Sequence, residues 1–130
     1  MGRDMENRPT NSELEILGVL WNKGPSPVRE VHEELAKNRN VGYTTVLKLM
    51  QIMADKGLVT RDTGNRAHVY SAAFQQSEAQ RSMTNELVTR VFGGSEARLA
   101  LHALGSKRAT PEELAEIRTL LDRLEEEEKL

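Results

Sequence analysis

The 130-residue sequence contains no cysteine, five aromatic residues and no long apolar run. The absence of cysteine excludes disulfides, thiolate nucleophiles and cysteine metal ligands. No segment approaches the roughly 18 consecutive apolar residues of a membrane-spanning helix, and the N-terminus lacks the apolar region of a signal peptide. These absences predict a cytoplasmic protein with no membrane insertion, whose core is built mainly from Leu, Ile, Val and Met.

Motifs of catalysis are also missing. The sequence has no H-E-x-x-H, no G-x-S-x-G, no P-loop and no glycine-rich dinucleotide fingerprint. The three histidines, His32, His68 and His102, lie in separate segments without metal-ligand spacing. They are interpreted as packing or surface residues. The sequence therefore predicts no enzyme, no catalytic residues, no metal and no cofactor.

The charge is unevenly distributed along the chain. The net charge is −2, yet residues 37–68 hold six Lys or Arg against two Asp or Glu. A basic band in a mildly acidic chain indicates an anionic partner for that band, although small basic clusters also arise by chance.

Three helices are predicted in the first half of the chain. The first begins near Thr10 or Ser12, each of which forms a capping box with a Glu three residues later, and it buries Leu14, Leu17, Leu20 and Trp21. The second follows a Pro-Ser-Pro turn, with Ser26 as its cap and Pro27 at its first position. A short polar link and Gly42 lead into the third, over GYTTVLKLMQIMADKG. Two helices joined by so few residues indicate a helix-turn-helix.

Beyond Gly57 the periodicity changes from helix to strand. Residues 58–61 and 67–70 are short β-like runs joined by a segment that contains Gly64-Asn65, a typical hairpin signal. The order helix, helix, helix, hairpin predicts a winged helix-turn-helix. The expected fold class is mainly α with a small β-hairpin wing, followed by a C-terminal helical dimerisation region.

The polar face of the third helix is poor in acidic residues near its start. Short hydroxyls allow close approach to DNA, Thr methyls can contact thymine, Lys can donate to guanine and Gln can pair with adenine. In a helix-turn-helix this end of the second helix of the motif lies in the major groove, and a basic wing contacts phosphate or the minor groove. The alternatives are that Thr44 only caps the helix, that Lys48 is solvated and that Arg66 packs over the hairpin. The predicted DNA-binding residues are Tyr43, Thr44, Thr45, Lys48, Gln51, Arg39, Arg61 and Arg66.

The C-terminal part is helical again, with helix starts predicted at Ser95 and at Thr110-Pro111. Its helices have more apolar surface than three small helices can bury among themselves. Leu114, Ile117, Leu121 and Leu124 follow a 3-4-3 spacing that is typical of a coiled-coil interface. Homodimerisation is the expected solution, and packing of this stripe on the first helix is the alternative. The predicted dimerisation residues are Leu87, Val91, Leu99, Leu104, Leu114, Ile117, Leu121 and Leu124.

The predicted organisation is therefore a flexible N-terminus over residues 1–9, a DNA-binding domain over 10–73 and a dimerisation region over 74–130. The function predicted from the residues is binding of double-stranded DNA by a two-fold symmetric homodimer. Two alternatives stay open: a winged helix used for protein–protein contact, and a MarR-like regulator that responds to a small molecule.

Several segments together resemble one known family. In order they are ELEILGVLWNKGPSPVREVHEEL, YTTVLKLMQIMADKGLVTR, GNRAHVY, VFGGS, LALHAL and TPEELAEIRTLL. They are similar to the BlaI/MecI/CopY repressors, which control β-lactamase and related genes in bacteria. The resemblance implies a homodimeric winged-helix repressor with a palindromic operator. Many members carry Lys at Thr44, Thr at Lys48 and Arg at Ile52, which implies either a different operator preference or a different register of contacts here.

The resemblance also implies a mode of relief. In members linked to antibiotic sensing, a membrane-bound sensor metalloprotease triggers cleavage within the dimerisation region and releases DNA. The matching segment here is LALHAL, with His102-Ala103 where the better-known members have Asn-Phe. The implied cleavage region comprises Leu101, His102 and Ala103. The copper-sensing branch carries C-terminal cysteines, so copper sensing is disfavoured.

Overall fold

The computed structural model describes residues 8–64 and 66–129 as six helices and three strands. A compact unit ends at Thr84, and a second unit begins at Asn85. No helix within the described residues is both long enough and apolar enough to cross a membrane. The expected fold class, mainly α with a small sheet, is confirmed. The elements are α1 Asn11–Lys23, β1 Ser26–Pro27, α2 Val28–Ala36, α3 Tyr43–Lys56, β2 Val59–Asp62, β3 Val69–Ala72, α4 Gln76–Val91, α5 Glu96–Leu104 and α6 Pro111–Glu128.

Helix α1 begins at the first of the two predicted caps. The Thr10 hydroxyl accepts a hydrogen bond from the Glu13 backbone N–H, and the Glu13 carboxylate accepts one from the Thr10 N–H. The buried stripe is shifted from the predicted one. Ile16 and Val19 are buried beside Leu17 and Leu20, whereas Leu14 and Trp21 are half-buried. Trp21 is held at the edge of the core because its indole N–H donates to the Phe74 carbonyl at 3.0 Å.

The segment between α1 and α2 is a strand, which corrects the prediction for Ser26 and Pro27. Pro27 is the N-cap of α2, and Ser26 does not cap the helix. The Ser26 hydroxyl instead donates to the Gly24 carbonyl at 2.8 Å. Ser26 and Pro27 pair antiparallel with Tyr70 and Val69. A two-residue strand is too short to show alternation, so only its tertiary partner identifies it.

The sheet has the order β1-β3-β2, and the core lies between it and the first three helices. Tyr70, on the central strand, is buried despite its polar hydroxyl group. The remaining buried members of the core are aliphatic or methionine side chains, as the composition predicts. They are Ile16, Leu17, Val19, Leu20, Val28, Val31, Val46, Met50, Met53, Leu58 and Val59.

Helix α3 passes almost directly into the wing. Its C-cap, Gly57, has φ of 83°, a left-handed conformation that glycine adopts without the strain of a Cβ. The Leu58 N–H then donates to the Met53 carbonyl at 2.9 Å, and β2 begins at Val59. At the tip of the wing, the Asp62 carboxylate accepts a hydrogen bond from the Gly64 N–H at 2.9 Å. Asn65, the second residue of the predicted turn signal, lies outside the described residues.

In the second unit, the predicted helix starts agree with the structure. The Ser95 side chain caps α5, and Thr110 forms a capping box with Glu113 at the start of α6, where Pro111 is the first residue. No residue of α5 or α6 is buried. The predicted boundary between residues 73 and 74 stays a prediction. It precedes α4, the helix in which the first compact unit ends.

A buried ion pair joins the start of α1 to the end of α3. The Glu13 side chain is only 3% exposed, and its carboxylate lies 2.7 Å from the Lys56 ammonium. Burial acts to raise the pKa of Glu13, but hydrogen bonds from Lys56 and Thr10, together with the Lys56 charge, outweigh it. The pKa therefore lies below the ordinary value of 4.5.

We expect Glu13→Gln to lower the free energy of unfolding near neutral pH by about 1–3 kcal/mol, because Lys56 loses its buried partner. Since the folded pKa is lowered, the wild-type stabilisation is complete above pH 4.5 and is lost as the pH falls through the folded value. The difference between wild type and variant should therefore shrink on acidification. Chemical unfolding across this pH range measures it.

The matched control is Glu34→Gln. Glu34 pairs with Lys37 at 3.0 Å, but the pair is solvent-accessible. Its loss should cost no more than about 0.5 kcal/mol at any pH. A Glu13→Gln effect that did not depend on pH would contradict the ion-pair account.

Candidate nucleic-acid interface

The predicted reading residues of α3 lie on one exposed side of the helix. Thr44, Thr45, Lys48 and Gln51 are exposed, and Tyr43 is 46% exposed. The opposite side contributes Val46, Met50 and Met53 to the core. The alternative in which Thr44 caps the helix is wrong, because the N-cap is Gly42 and no side chain caps it. The polar side of α3 is therefore available to a ligand along its first turns.

A cleft of about 370 Å³ lies between α3, the start of α2 and the wing. From α3, Tyr43 and Gln51 line it. Arg66 and His68 line it from the segment that leads into β3, and Arg29 lines it from the first turn of α2. Two guanidinium groups, an imidazole, a phenol and an amide therefore surround one open space. Such groups commonly hydrogen-bond phosphate oxygens and sugars in protein–DNA complexes.

Two of these residues are absent from the predicted set. Arg29 forms an exposed ion pair with Glu33 at 3.5 Å, one turn later on α2. His68 was interpreted as an ordinary surface histidine. The pairing of β1 with β3 brings the start of α2 beside the wing, and the two-residue strand that does so left no pattern in the sequence.

The basic band is narrower in the structure than in the sequence. Lys37 and Lys56 form ion pairs with Glu34 and Glu13, at 3.0 and 2.7 Å. Arg39 lies 3.2 Å from Glu15 of α1. Among residues 8–64 and 66–129, Lys48, Arg61 and Arg66 form no ion pair. These three carry the uncompensated positive charge of the band.

The structure does not bring Arg39 or Arg61 into the cleft. Arg39 is directed to α1 through Glu15. Arg61 pairs with Tyr70 across the hairpin, is exposed, and is absent from the residues that line the cleft. Their roles in DNA binding stay predictions, with weaker geometric support than those of Tyr43, Gln51 and Arg66.

The predicted dimerisation residues occupy all three C-terminal helices. Leu87 and Val91 lie on α4, Leu99 and Leu104 on α5, and the remainder on α6. Most are exposed, including Leu121 and Leu124. In the predicted cleavage region, Leu101 is 72% exposed, and the His102 ring packs 5.8 Å from that of Phe92. Within the described part of the chain, no group of three Asp, Glu or His side chains is placed to hold a metal ion.

Comparison with known proteins gives a consistent set of relatives. A family model described as penicillinase repressor matches residues 9–123. The transcriptional regulator BlaI of Mycobacterium tuberculosis is 31% identical over 115 residues, which cover 87% of this chain and 82% of that protein. The penicillinase repressor of Staphylococcus aureus is 19% identical, covering 85% of this chain and 88% of the relative. A crystal structure of a probable transcriptional regulator from Pseudomonas aeruginosa is 21% identical, with a TM-score of 0.46, covering 93% of this chain and 82% of that one.

The cleft geometry makes a prediction for duplex DNA of random sequence. Each phosphate contact adds about 0.9 to the slope of log affinity against log salt. We expect Arg66→Ala to weaken binding and to reduce this slope by about one. Lys37→Ala removes a basic residue that is already paired with Glu34 and should leave the slope unchanged. Fluorescence anisotropy titrations over a salt series measure the affinity and the slope of each variant. Equal effects of the two variants would contradict a phosphate contact by Arg66.

Proposed function

The chain belongs to the penicillinase repressor family, and from this premise we propose that it is a homodimeric winged-helix repressor of a two-fold symmetric operator. Family membership also confirms the expectation that the chain is not an enzyme. The observation that carries the proposal is the exposed polar side of α3 beside a cleft with Arg29 and Arg66 on its walls.

We propose that α3 reads the bases and that the arginines of the cleft bind the DNA backbone, because the chemistry of each set of side chains suits that role. Thr44, Thr45, Lys48 and Gln51 read base edges in the major groove from one side of α3. The guanidinium groups of Arg29 and Arg66 contact the sugar-phosphate backbone that enters the cleft. Lys48 is the only charged residue among the four reading side chains, so most of the sequence preference comes from short hydroxyls and an amide. Affinity comes mainly from phosphate contacts and falls steeply with salt.

Dimerisation is proposed through the second unit. Helices α5 and α6 expose apolar side chains, among them Leu101, Leu121 and Leu124. Large apolar patches are typical of a face that another chain covers, and we propose that these side chains form such a patch. A two-fold axis through this region supplies the second DNA-binding unit and so doubles the phosphate contacts. The repressor acts on chromosomal DNA and is therefore proposed to be cytoplasmic.

Relief of repression is proposed to occur through separation of the dimer. One monomer offers few uncompensated basic residues and binds weakly by itself. Cleavage in the region of Leu101, His102 and Ala103 by a membrane-bound sensor metalloprotease is one route to separation. These residues lie in the last turn of α5, so cleavage requires the end of that helix to open locally.

The decisive experiment is a footprint of the full chain on the DNA upstream of its own gene, at two salt concentrations. Two protected half-sites related by a dyad, which weaken steeply as salt rises, would support the proposal. Enrichment of binding sites from a random-sequence library locates the operator if it lies elsewhere. Failure to protect or enrich any sequence at low salt would contradict operator binding and favour a protein partner.

Substitution on the reading side of α3 tests specificity. We expect Lys48→Ala to lower the affinity for the selected duplex by about tenfold or more, and to relax selection at one base pair per half-site, since one specific contact is worth about 1–3 kcal/mol. Repeating the library selection with the variant measures this. Asp55→Ala, on the same side but at the far end of α3, is the control and should select the same sequence. Unchanged selection by Lys48→Ala would contradict base reading by this residue.

Two buried charges in the proposed dimer interface test its position. Ile117→Asp together with Leu121→Asp should shift the protein to monomer and weaken operator binding by at least about a hundredfold. Thr119→Asp together with Arg123→Asp alters the opposite side of α6 and should leave the dimer intact. Sedimentation and anisotropy on the same samples measure both effects. A dimer that survived the first pair of changes would contradict this interface.

A further inference from the structure

His32 connects the two helices of the helix-turn-helix at the turn before α3, where the Val41 side chain also packs against the core. From α2, its Nε2 lies 2.8 Å from the Val41 carbonyl oxygen. A carbonyl can only accept, so the ring nitrogen donates. The same ring meets that of Tyr43 edge to face, with centroids 5.9 Å apart and planes at 80°. His32 therefore contacts the residues on both sides of Gly42, the N-cap of α3.

The entry to α3 has no side-chain cap. Its N-cap provides no side-chain hydrogen bond, unlike those of α1, α5 and α6, which Thr10, Ser95 and Thr110 provide. The first backbone bond of the helix runs from the Val46 N–H to the Gly42 carbonyl at 3.2 Å. A glycine N-cap permits many entry angles, so the direction of the first turn needs a contact from outside the helix.

We propose that His32 is a positioning residue for operator reading, which sets the angle of the first turn of α3 by holding Val41 and Tyr43. Tyr43 lines the cleft beside Gln51, and Thr44 and Thr45 follow it in the same turn. A shift of this turn moves the reading side chains relative to the DNA but leaves the basic residues of the wing in place. His32 therefore acts on sequence discrimination and not on the non-specific electrostatic part of binding. The proposal rests on the proposed function, since it presupposes that α3 reads bases.

Two substitutions distinguish the hydrogen bond that His32 donates from the contact that its ring makes with Tyr43. His32→Phe keeps an aromatic ring for Tyr43 and removes the hydrogen bond. His32→Gln removes the ring and places an N–H donor the same number of bonds from Cβ. Trp21→Phe is the matched control, because it deletes a side-chain bond of similar length, from the indole N–H to the Phe74 carbonyl, at a site formed by α1, β3 and the residues that follow β3.

The first measurement compares the affinities of each protein for two duplexes. One is the duplex that the full-length wild type enriches from a random library, and the other is a shuffled duplex of the same composition. The ratio of the two affinities measures sequence discrimination. We expect the ratio to fall about five- to tenfold in His32→Phe, the loss of one hydrogen bond, and to recover to within about twofold of wild type in His32→Gln. Trp21→Phe should lower the thermal unfolding temperature without changing the ratio. An unchanged ratio in His32→Phe, an equal loss in Trp21→Phe, or no recovery in His32→Gln would each overturn the proposal.

The second measurement needs no DNA. Amide hydrogen exchange at Val46 should be faster in His32→Phe than in wild type or in Trp21→Phe, because the first turn of α3 opens more often. Exchange at Val46 that is equal in all three proteins would overturn the proposal even if the affinity ratio changed. If the wild type enriches no sequence, the proposed function fails and the role in reading fails with it. The exchange result then shows separately whether His32 holds the turn.

Discussion

The pairing of Ser26 and Pro27 with Tyr70 and Val69 is the contact on which the rest of the DNA-binding unit depends. It fixes the wing against the turn between the first two helices, and it places buried Tyr70 at the centre of the sheet. The cleft exists because of this pairing, since α2 supplies one wall and the wing supplies another. Without this two-residue strand, the hairpin would be held to the helices by core side chains such as Tyr70 and Val59, and no backbone pairing would fix it beside the start of α2.

Local signals in the sequence predicted most of the fold. Capping boxes, glycine residues at helix C-termini and apolar periodicity all depend on residues that are close together in the sequence. Thr10, Ser95 and Thr110 begin helices as expected, and Gly57 ends one. The error at Ser26 arose because a serine between two prolines satisfies the local rules for a cap. Its real partners lie more than forty positions away in the chain, at Tyr70, and no local pattern records them.

The candidate site was predicted in part, for a related reason. Helical periodicity placed the reading residues of α3 on one side without reference to any other element. The charge count, in contrast, included Lys37, Arg39 and Lys56, whose carboxylate partners all lie outside the counted window. Arg29 and His68 were missed because only the tertiary arrangement brings them to the same cleft as Tyr43. The net charge of a sequence window includes residues that are paired in the fold. Ion pairs in the folded structure decide how much of that charge remains available to a partner.

Only Gly57 and Leu58 separate the end of α3 from the start of β2, and the Leu58 backbone is bonded to the helix itself. The C-terminal end of α3 and the start of the wing are therefore held at a fixed distance from each other. In B-DNA, successive phosphates of one strand advance 3.4 Å along the axis. If α3 lies in the major groove and the wing contacts the backbone, as proposed above, a fixed distance between them matches one number of base pairs between the two contacts. The protein would therefore select DNA by the spacing between these two contacts as well as by base sequence. A new operator of different spacing would need a change at this two-residue joint, whereas a new operator of the same spacing would need changes only on the side of α3.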